Sequence, residues 1–394
     1  MIRHLITLIW NRRRANGLLV SEIFLAFIAV FAVTSLIMYM RQNYQTPLGF
    51  EYQDVWQINL KQGAQSEQRY ATLQQVVQRL KATPGVTSVA RSGENTPFSF
   101  NNGTAKLDAG EGANKRQSPS TDIYFAGPEL QKVLDLQIAE GRWFDRRDEA
   151  ATRRPVVITE ATRAALFPNE SPIGKVVRGL KEEWQVVGVT NSYRAGGELS
   201  TPRPAIMLYV SPNDTAEALS TLLVRVAPGS GAALKKQIGE QIHSTSPSWT
   251  STIVALGEQR LAKLKMLLAL PAMLGIVCLF LTMNVALGIF GVMWLNISRR
   301  RVEIGLRRAI GASAGSISSQ ILGEILIITT FGLLLGVLAV IQFPILGVFS
   351  VPASVYFLAI GLGLGLIYGL VTLCAVYPSQ LATGIRPALS LREE

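Results

Sequence analysis

Histidine, cysteine and charge are all scarce in this chain. Of its 394 residues, two are His, two are Cys and only 16% are charged. A soluble globular domain carries about a quarter charged residues. With only His4 and His243, a zinc site built on His is excluded, and a Ser-His nucleophile has almost no candidate base. Cys278 and Cys374 each stand inside an apolar run, which excludes a disulfide scaffold. A phosphate-cradling Gly-x-x-x-x-Gly-Lys-Ser/Thr loop is missing too. The one Gly-Lys pair, Gly174-Lys175, is followed by Val176. What is abundant is apolar. Hydrophobic residues make up 48% and the mean hydropathy is +0.27, which excludes a disordered chain.

The apolar residues are concentrated in four places. Crossing a bilayer takes about 20 mostly apolar residues. Leu18 to Met40 meets that length, as do stretches at about 266–295, 317–343 and 354–377. Glu22 interrupts the first, and its apolar length is well beyond the roughly 7–15 residues of a signal peptide, so it reads as an uncleaved anchor. Between the first and second stretches lie roughly 225 residues of ordinary composition, enough to bury a core of their own.

Lys and Arg in the short segments set the orientation. The N-terminal tail holds Arg3, Arg12, Arg13 and Arg14. The segment between spans two and three holds Arg299, Arg300, Arg301, Arg307 and Arg308, and the C-terminal tail holds Arg386 and Arg392. The loop from Gln342 to Ala353 holds neither Lys nor Arg. With four spans, every basic segment falls on one side, so both termini are expected in the cytoplasm and the large domain outside it. The net charge of +11 therefore reflects topology, not nucleic acid. Arg146-Arg147 and Arg153-Arg154 read as a solvated face.

The large domain reads as two parts. Asp54 to Leu60 alternates as a strand, Ser66 to Lys81 as an amphipathic helix, and Val86 to Ala90 as a second strand. Leu222 to Val226 and Ala232 to His243 repeat a strand and helix near the far end. An α/β lobe is thus expected from about 46–96 and 205–250. A strand-rich lobe is expected at about 97–204, with short β runs at Pro155–Ile158, Trp184–Val189 and Ala205–Val210. Asn101 to Ser120, rich in Gly, Asn and Ser, reads as a mobile loop. Ser251 to Lys265 reads as helix running into span two until Pro271, and Met38 to Gln45 extends span one in the same way. The expected organisation is 1–45 (tail and helix 1), 46–250 (extracytoplasmic domain) and 251–394 (stalk, helices 2–4 and tail). The fold class is a membrane protein, α-helical with four transmembrane helices, plus a large α+β extracytoplasmic domain of two lobes inserted between helices 1 and 2.

Several motifs have plain explanations. Gly311-Ala-Ser-Ala-Gly315 matches a nucleophile elbow by letter only. A basic helix precedes it where a strand is required, so it reads as a helix break. Gly361, Gly365 and Gly369 share one face of span four, and Gly332 and Gly336 share one of span three. Such spacing lets helices approach closely, within one chain or between two. Glu22 and Glu324 lie in apolar runs near the cytoplasmic ends of their spans. Anchoring or helix pairing is favoured over a transport role. Asn284, mid-span, is expected to bond between helices. The segment 299–313 forms an amphipathic helix with Val302, Leu306, Ala309 and Ile310 on one face. Arg300, Glu303, Arg307 and Arg308 surround the other, with Glu303 and Arg307 spaced i, i+4. Physics alone leaves two roles open, an interfacial helix and a docking site for a cytoplasmic partner.

Arg299 to Ser313, continuing through Ile317, Gln320 and Glu324, resembles the cytoplasmic helix and third span of MacB/FtsX-like ABC permeases. Tyr377 to Arg392 is similar to that family's C-terminal signature, although Ser379 and Gln380 stand where Arg is usual. Leu134 to Phe144 and Pro155 to Val189 resemble the MacB-type periplasmic core domain. The resemblance implies a permease that is not itself an enzyme, in the inner membrane, with no cofactor on this chain. ATP and Mg would belong to a separate ABC ATPase subunit, present in two copies. That subunit would dock on the coupling helix through Arg300, Arg301, Glu303, Ile304, Gly305, Leu306, Arg307 and Arg308. About 17 residues precede span one, so the ATPase is expected on another chain. A second permease subunit, identical or similar, is implied, and a periplasmic adaptor with an outer-membrane channel accompanies MacB-type exporters. ATPase motion would pass along the stalk to the outer domain and drive export or extraction there (mechanotransmission). FtsX-like members offer the alternative of relaying that motion to cell-wall hydrolases.

Overall fold

The computed structural model describes residues 13–61, 69–100, 103–110, 115–211 and 220–383. The chain divides into two compact units, Gln42–Leu267 and the combination of Met1–Arg41 with Leu268–Glu394. His4, Arg3, Arg12, Arg386 and Arg392 lie outside the described residues, as does the C-terminal signature beyond residue 383.

In the second unit, four described helices are long and apolar enough to cross a membrane. Helix α1 spans Arg13–Tyr44. The next, α6, spans Leu256–Arg299 and continues through Pro271, which membrane helices tolerate better than soluble ones. A short helix, α7, spans Arg301–Ala309, and α8 spans Ala314–Val340. A turn of helix, α9 (Gln342–Leu346), leads to α10 (Ala353–Thr383). Their common core joins Ile23, Phe27 and Val30 of α1 to Ile289, Ile328, Leu333, Ala359 and Ile367.

In the unit Gln42–Leu267, the thirteen described strands form one mixed sheet. Its edge part holds β1 (Val55–Lys61), β2 (Val86–Ser92), β12 (Thr221–Val226) and β13 (Thr250–Ala255), in the antiparallel order β13-β1-β12-β2. Helices α2 (Arg69–Lys81) and α5 (Ala232–Thr245) cover this part. They bury Leu73, Val76, Leu80, Ile238 and Ile242 against Trp56, Ile58, Val89 and Val224. These helix residues recur at three- and four-residue intervals, which is why one stripe of each faces the sheet.

The remaining strands are β3 (Gly103–Ala105), β4 (Asp108–Ala109), β5 (Arg116–Gln117), β6 (Thr121–Ala126), β7 (Ile138–Gly141), β8 (Arg154–Thr159), β9 (Val176–Gly179), β10 (Glu182–Thr190) and β11 (Ala205–Tyr209). They continue the sheet as β6-β11-β8-β10-β9-β4-β5, with β6–β11 and β8–β10 parallel. Strands β8 and β11 are buried on both faces, as their unbroken apolar runs require. Short helix α4 (Glu160–Leu166) packs against this part, whereas α3 (Leu130–Leu134) lies against β2 and β12 and shares a core with residues of both parts. The two parts meet through one strand pairing, Ser92 with Ala126.

Three expectations are corrected. Strand β11 lies between β6 and β8, so residues 205–209 belong with the middle part and not with the edge part. The described residues of 101–120 include paired strands β3, β4 and β5, not only loop. Leu107 and Ala109 are buried there, and partners β6 and β9 supply the bonds that the local composition does not suggest. Residues 250–255 are strand β13, and helix begins only at Leu256. Thr250, Thr252, Ile253 and Val254 are β-branched, and β1 offers them an open edge.

Candidate functional site

The basic helix α7 is set by its two ends. Its last turn closes on Gly311 at φ +100°, and Ala312 N–H donates to Arg307 O (2.9 Å). Only glycine takes that conformation without strain, and it is the usual residue just past a helix end. Ser313 then caps α8, its hydroxyl accepting from Ser316 N–H at 3.2 Å. The serine of the Gly-x-Ser-x-Gly pattern is thus a helix cap.

Among the described residues of α7, Ile304 and Gly305 are the buried ones. Behind them, Arg300 reaches Glu324 of α8 with Nη1 at 3.0 and 3.1 Å from the two carboxylate oxygens. These side chains are 20% and 16% exposed. Arg307 donates to Gln320 Oε1 (2.8 Å) and to Glu303 Oε1 (2.5 Å). Together with Asn296, Ile317 and Ile321 these residues line a small cleft between α6, α7 and α8. The other face of α7 is uncovered: Val302, Leu306 and Ile310 are 55%, 50% and 80% exposed. Arg308 is half-buried. Position 301 lies on α7, and its side chain is not among those described.

The intramembrane candidates separate. Glu324 is the ion-pair partner just described. Glu22 faces Gly288 of α6, and its Oε2 is buried with no hydrogen-bond partner among the described residues. Asn284 bonds within its own helix, to Phe280 O at 3.1 Å, not across to another as expected. In an apolar setting its amide takes the nearest backbone acceptor, one turn back. Gly332 and Gly336 receive α1. An added Cβ would stand 2.9 Å from Ile23 Cγ2 and 2.4 Å from Phe27 Cδ1 respectively. A Cβ added at Gly361, Gly365 or Gly369 would meet no heavy atom of another element within 4 Å. Gly363, outside that stripe, is the glycine of α10 that accepts Phe27. Small-residue spacing along the helix does not say which face meets a neighbour.

In the unit Gln42–Leu267, the site that sequence patterns missed surrounds Arg194, which is 5% exposed. Its guanidinium meets backbone carbonyls, two of them about 150 positions away, and no local motif announces such contacts. Among the described residues no group of three or more His, Cys, Asp or Glu is placed to hold a metal ion.

Comparison with known proteins gives a consistent picture. A family model for the MacB-like periplasmic core domain matches residues 18–241, more than half of the chain. A model for the FtsX-like permease C-terminal region matches residues 272–387. The macrolide export ATP-binding/permease protein MacB 1/2 of Paracoccus denitrificans (strain Pd 1222) is 28% identical over 282 residues, covering 69% of this chain and 40% of that protein. The ABC transporter permease YvrN of Bacillus subtilis (strain 168) is 26% identical over 294 residues, covering 69% of this chain and 70% of YvrN. The chain thus spans well under half the length of the MacB relatives it matches. The crystal structure of the periplasmic region of MacB from Actinobacillus actinomycetemcomitans is 17% identical with a TM-score of 0.39, covering 56% of this chain and 97% of that one. With its core domain between the first and second of four apolar helices, and its FtsX-like region following, the chain belongs to the MacB/FtsX-like family of ABC transporter permeases.

Proposed function

We propose that this permease is the membrane subunit of a complex in which a separate ATPase subunit docks on α7. The exposed stripe Val302, Leu306 and Ile310 carries this reading. Uncovered apolar side chains rimmed by charge mark a contact surface for a protein or a membrane, and Glu303 and Arg307 supply that rim. Ile304 and the Arg300–Glu324 pair hold the helix from behind, so a push on α7 is felt by α8.

On this reading both termini and α7 are cytoplasmic and the domain within 46–250 is extracytoplasmic, as the Arg-rich segments favour. Two ATPase copies, binding ATP and Mg, serve two permease subunits. Hydrolysis is transmitted along α1 and α6 to the outer domain. The work done there is export or extraction of a substrate, with an adaptor and an outer-membrane channel as candidate partners. The names of the MacB relatives support export as the class of work.

Two measurements test this. Purification from the host in mild detergent is expected to bring an ATPase in a one-to-one ratio with the permease. Elution alone under several mild conditions would remove the docking reading. Changing Glu303 and Leu306 together is expected to abolish ATPase stimulation with folding intact, and retained stimulation would free α7 from this role. A cell-wall hydrolase among the co-eluting proteins, without measurable export, would replace transport by relay.

A further inference from the structure

Arg194 stands in the segment between β10 and β11. Its guanidinium donates four hydrogen bonds to backbone carbonyls. Nη1 reaches Asn43 O (2.9 Å) and Thr46 O (2.7 Å). Nη2 reaches Glu198 O (2.9 Å) and Ser200 O (2.8 Å). The last carbonyls of a helix have no partner within it. Asn43 lies in the last turn of α1, so a side chain 151 residues away closes that helix end. Arg194 N–H also donates to Leu48 O (3.0 Å).

The same loop holds the start of α6. The Glu198 side chain is 9% exposed and pairs with Arg260 in the second turn of that helix. Its other oxygen, Oε2, is buried with no hydrogen-bond partner among the described residues. Arg260 also lies 5.1 Å from the Tyr52 ring centroid. One turn on, Lys263 donates to Ser99 O and stands 4.9 Å from the Phe100 ring centroid. The segment carrying Ser99 is tied to the Arg194 loop by Phe98 N–H donating to Ala195 O (2.7 Å). A buried guanidinium and a buried carboxylate, the latter paired with the half-buried Arg260, are an expensive way to fix a loop, since apolar packing of equal volume is often as stable. What directional charged bonds add is a fixed geometry.

We propose that Arg194 and Glu198 form a bracket that fixes the C-terminal end of α1 and the first turns of α6 to one point of the sheet. Displacement of either helix then passes directly into β10 and β11. Arg194, Glu198 and Arg260 are positioning residues on this view. The direction of the work rests on the ATPase-docking reading, while the bracket itself does not.

The test uses the full-length permease in lipid nanodiscs, followed by amide hydrogen exchange. Arg194→Lys keeps the charge and loses the fork, and is expected to speed exchange at least tenfold in residues 42–50. Glu198→Gln is expected to do the same in residues 256–265. The double variant Glu198→Gln/Arg260→Gln removes both charges at nearly constant shape, which keeps the test open if a single variant folds poorly. Strands β8 and β11 should keep their protection throughout. Unchanged exchange at both helix ends overturns the bracket, as does equal acceleration across the whole sheet. A second arm uses the complex with its co-purified ATPase. Addition of ATP and vanadate is expected to alter exchange in β10 and β11 of the unmodified permease, and several-fold less in Glu198→Gln with the ATPase still bound. An undiminished response overturns the bracket. Failure of the unmodified permease to bind any ATPase overturns the docking reading, and the helix-end exchange then decides the bracket alone.

Discussion

Single atoms decide how close these helices stand. Phe27 is fully buried, and a Cβ on Gly336 would come within 2.4 Å of its ring. Gly336→Val is therefore expected to destabilise the membrane unit by about 1–3 kcal/mol, the usual cost of overpacking. Gly365 faces open space, and Gly365→Ala should change stability by less than about 0.5 kcal/mol. Thermal unfolding in one detergent compares the two variants, and equal effects would refute the packing described. A second residue-scale prediction concerns Asp122 on β6. Burial pushes its carboxyl pKa up, and Arg203, with Nη1 3.7 Å away, offsets this only in part. A raised pKa means that the folded state holds the proton more tightly than the unfolded one. Stability from this group is thus greatest at low pH and is lost as pH rises through the folded-state pKa. Asp122→Asn should be the more stable protein at pH 7, with the difference shrinking as pH falls through the carboxylate range. Melting curves across pH check this, and a difference that grows on acidification would contradict it.

At the scale of elements, α7 depends on its neighbours. Arg300 and Glu324 are 24 positions apart and meet in a site largely shielded from solvent. Arg300→Gln and Glu324→Gln should each destabilise, and the double variant should cost less than the sum. A coupling of roughly 0.5–3 kcal/mol is expected from a double-mutant cycle; additive effects would mean that the pair does not fasten α7 to α8. The long apolar runs were legible in the sequence because their length alone exceeds what a soluble helix needs. So were β1, β2, β8 and β12, whose patterns are local. Strand β13 was not, because its strand character depends on the free edge of β1, almost two hundred residues upstream. Strands β3, β4 and β5 hid in a Gly- and Ser-rich stretch because they are only two or three residues long, too short for an alternating pattern, and β4 completes its pairing on β9, some seventy positions away. The helical period of 299–313 grouped Val302, Leu306 and Ile310 on one face. A period does not say which face looks inward, and here the inward residues are Ile304 and Gly305. The Arg194 site was illegible because four of its bonds end on backbone carbonyls, which have no residue signature.

For the whole molecule, sidedness is the property to measure first. In a background with Cys278→Ala and Cys374→Ala, single cysteines replace Lys236, Ile345 and Ile310. All three positions are exposed, at 80%, 74% and 80%. A membrane-impermeant maleimide applied to spheroplasts is expected to label Lys236→Cys and Ile345→Cys. Ile310→Cys should react only after permeabilisation, and its labelling from outside would invert the topology. The sheet itself carries a consequence for how the protein is made. Strand β1 pairs with β12 and β13, so Val55 waits for Arg225, 170 positions later. At a synthesis rate of about 5–20 residues per second, that wait is roughly 10–35 s. Strands β6, β8, β10 and β11, which pair with one another, are all synthesised within that interval. The nested inner part can thus be complete while the first strand to emerge is still unpaired, its edge bare to any other chain. Birth order and pairing order thus run opposite ways for β1, the strand that a chaperone has the longest opportunity to hold.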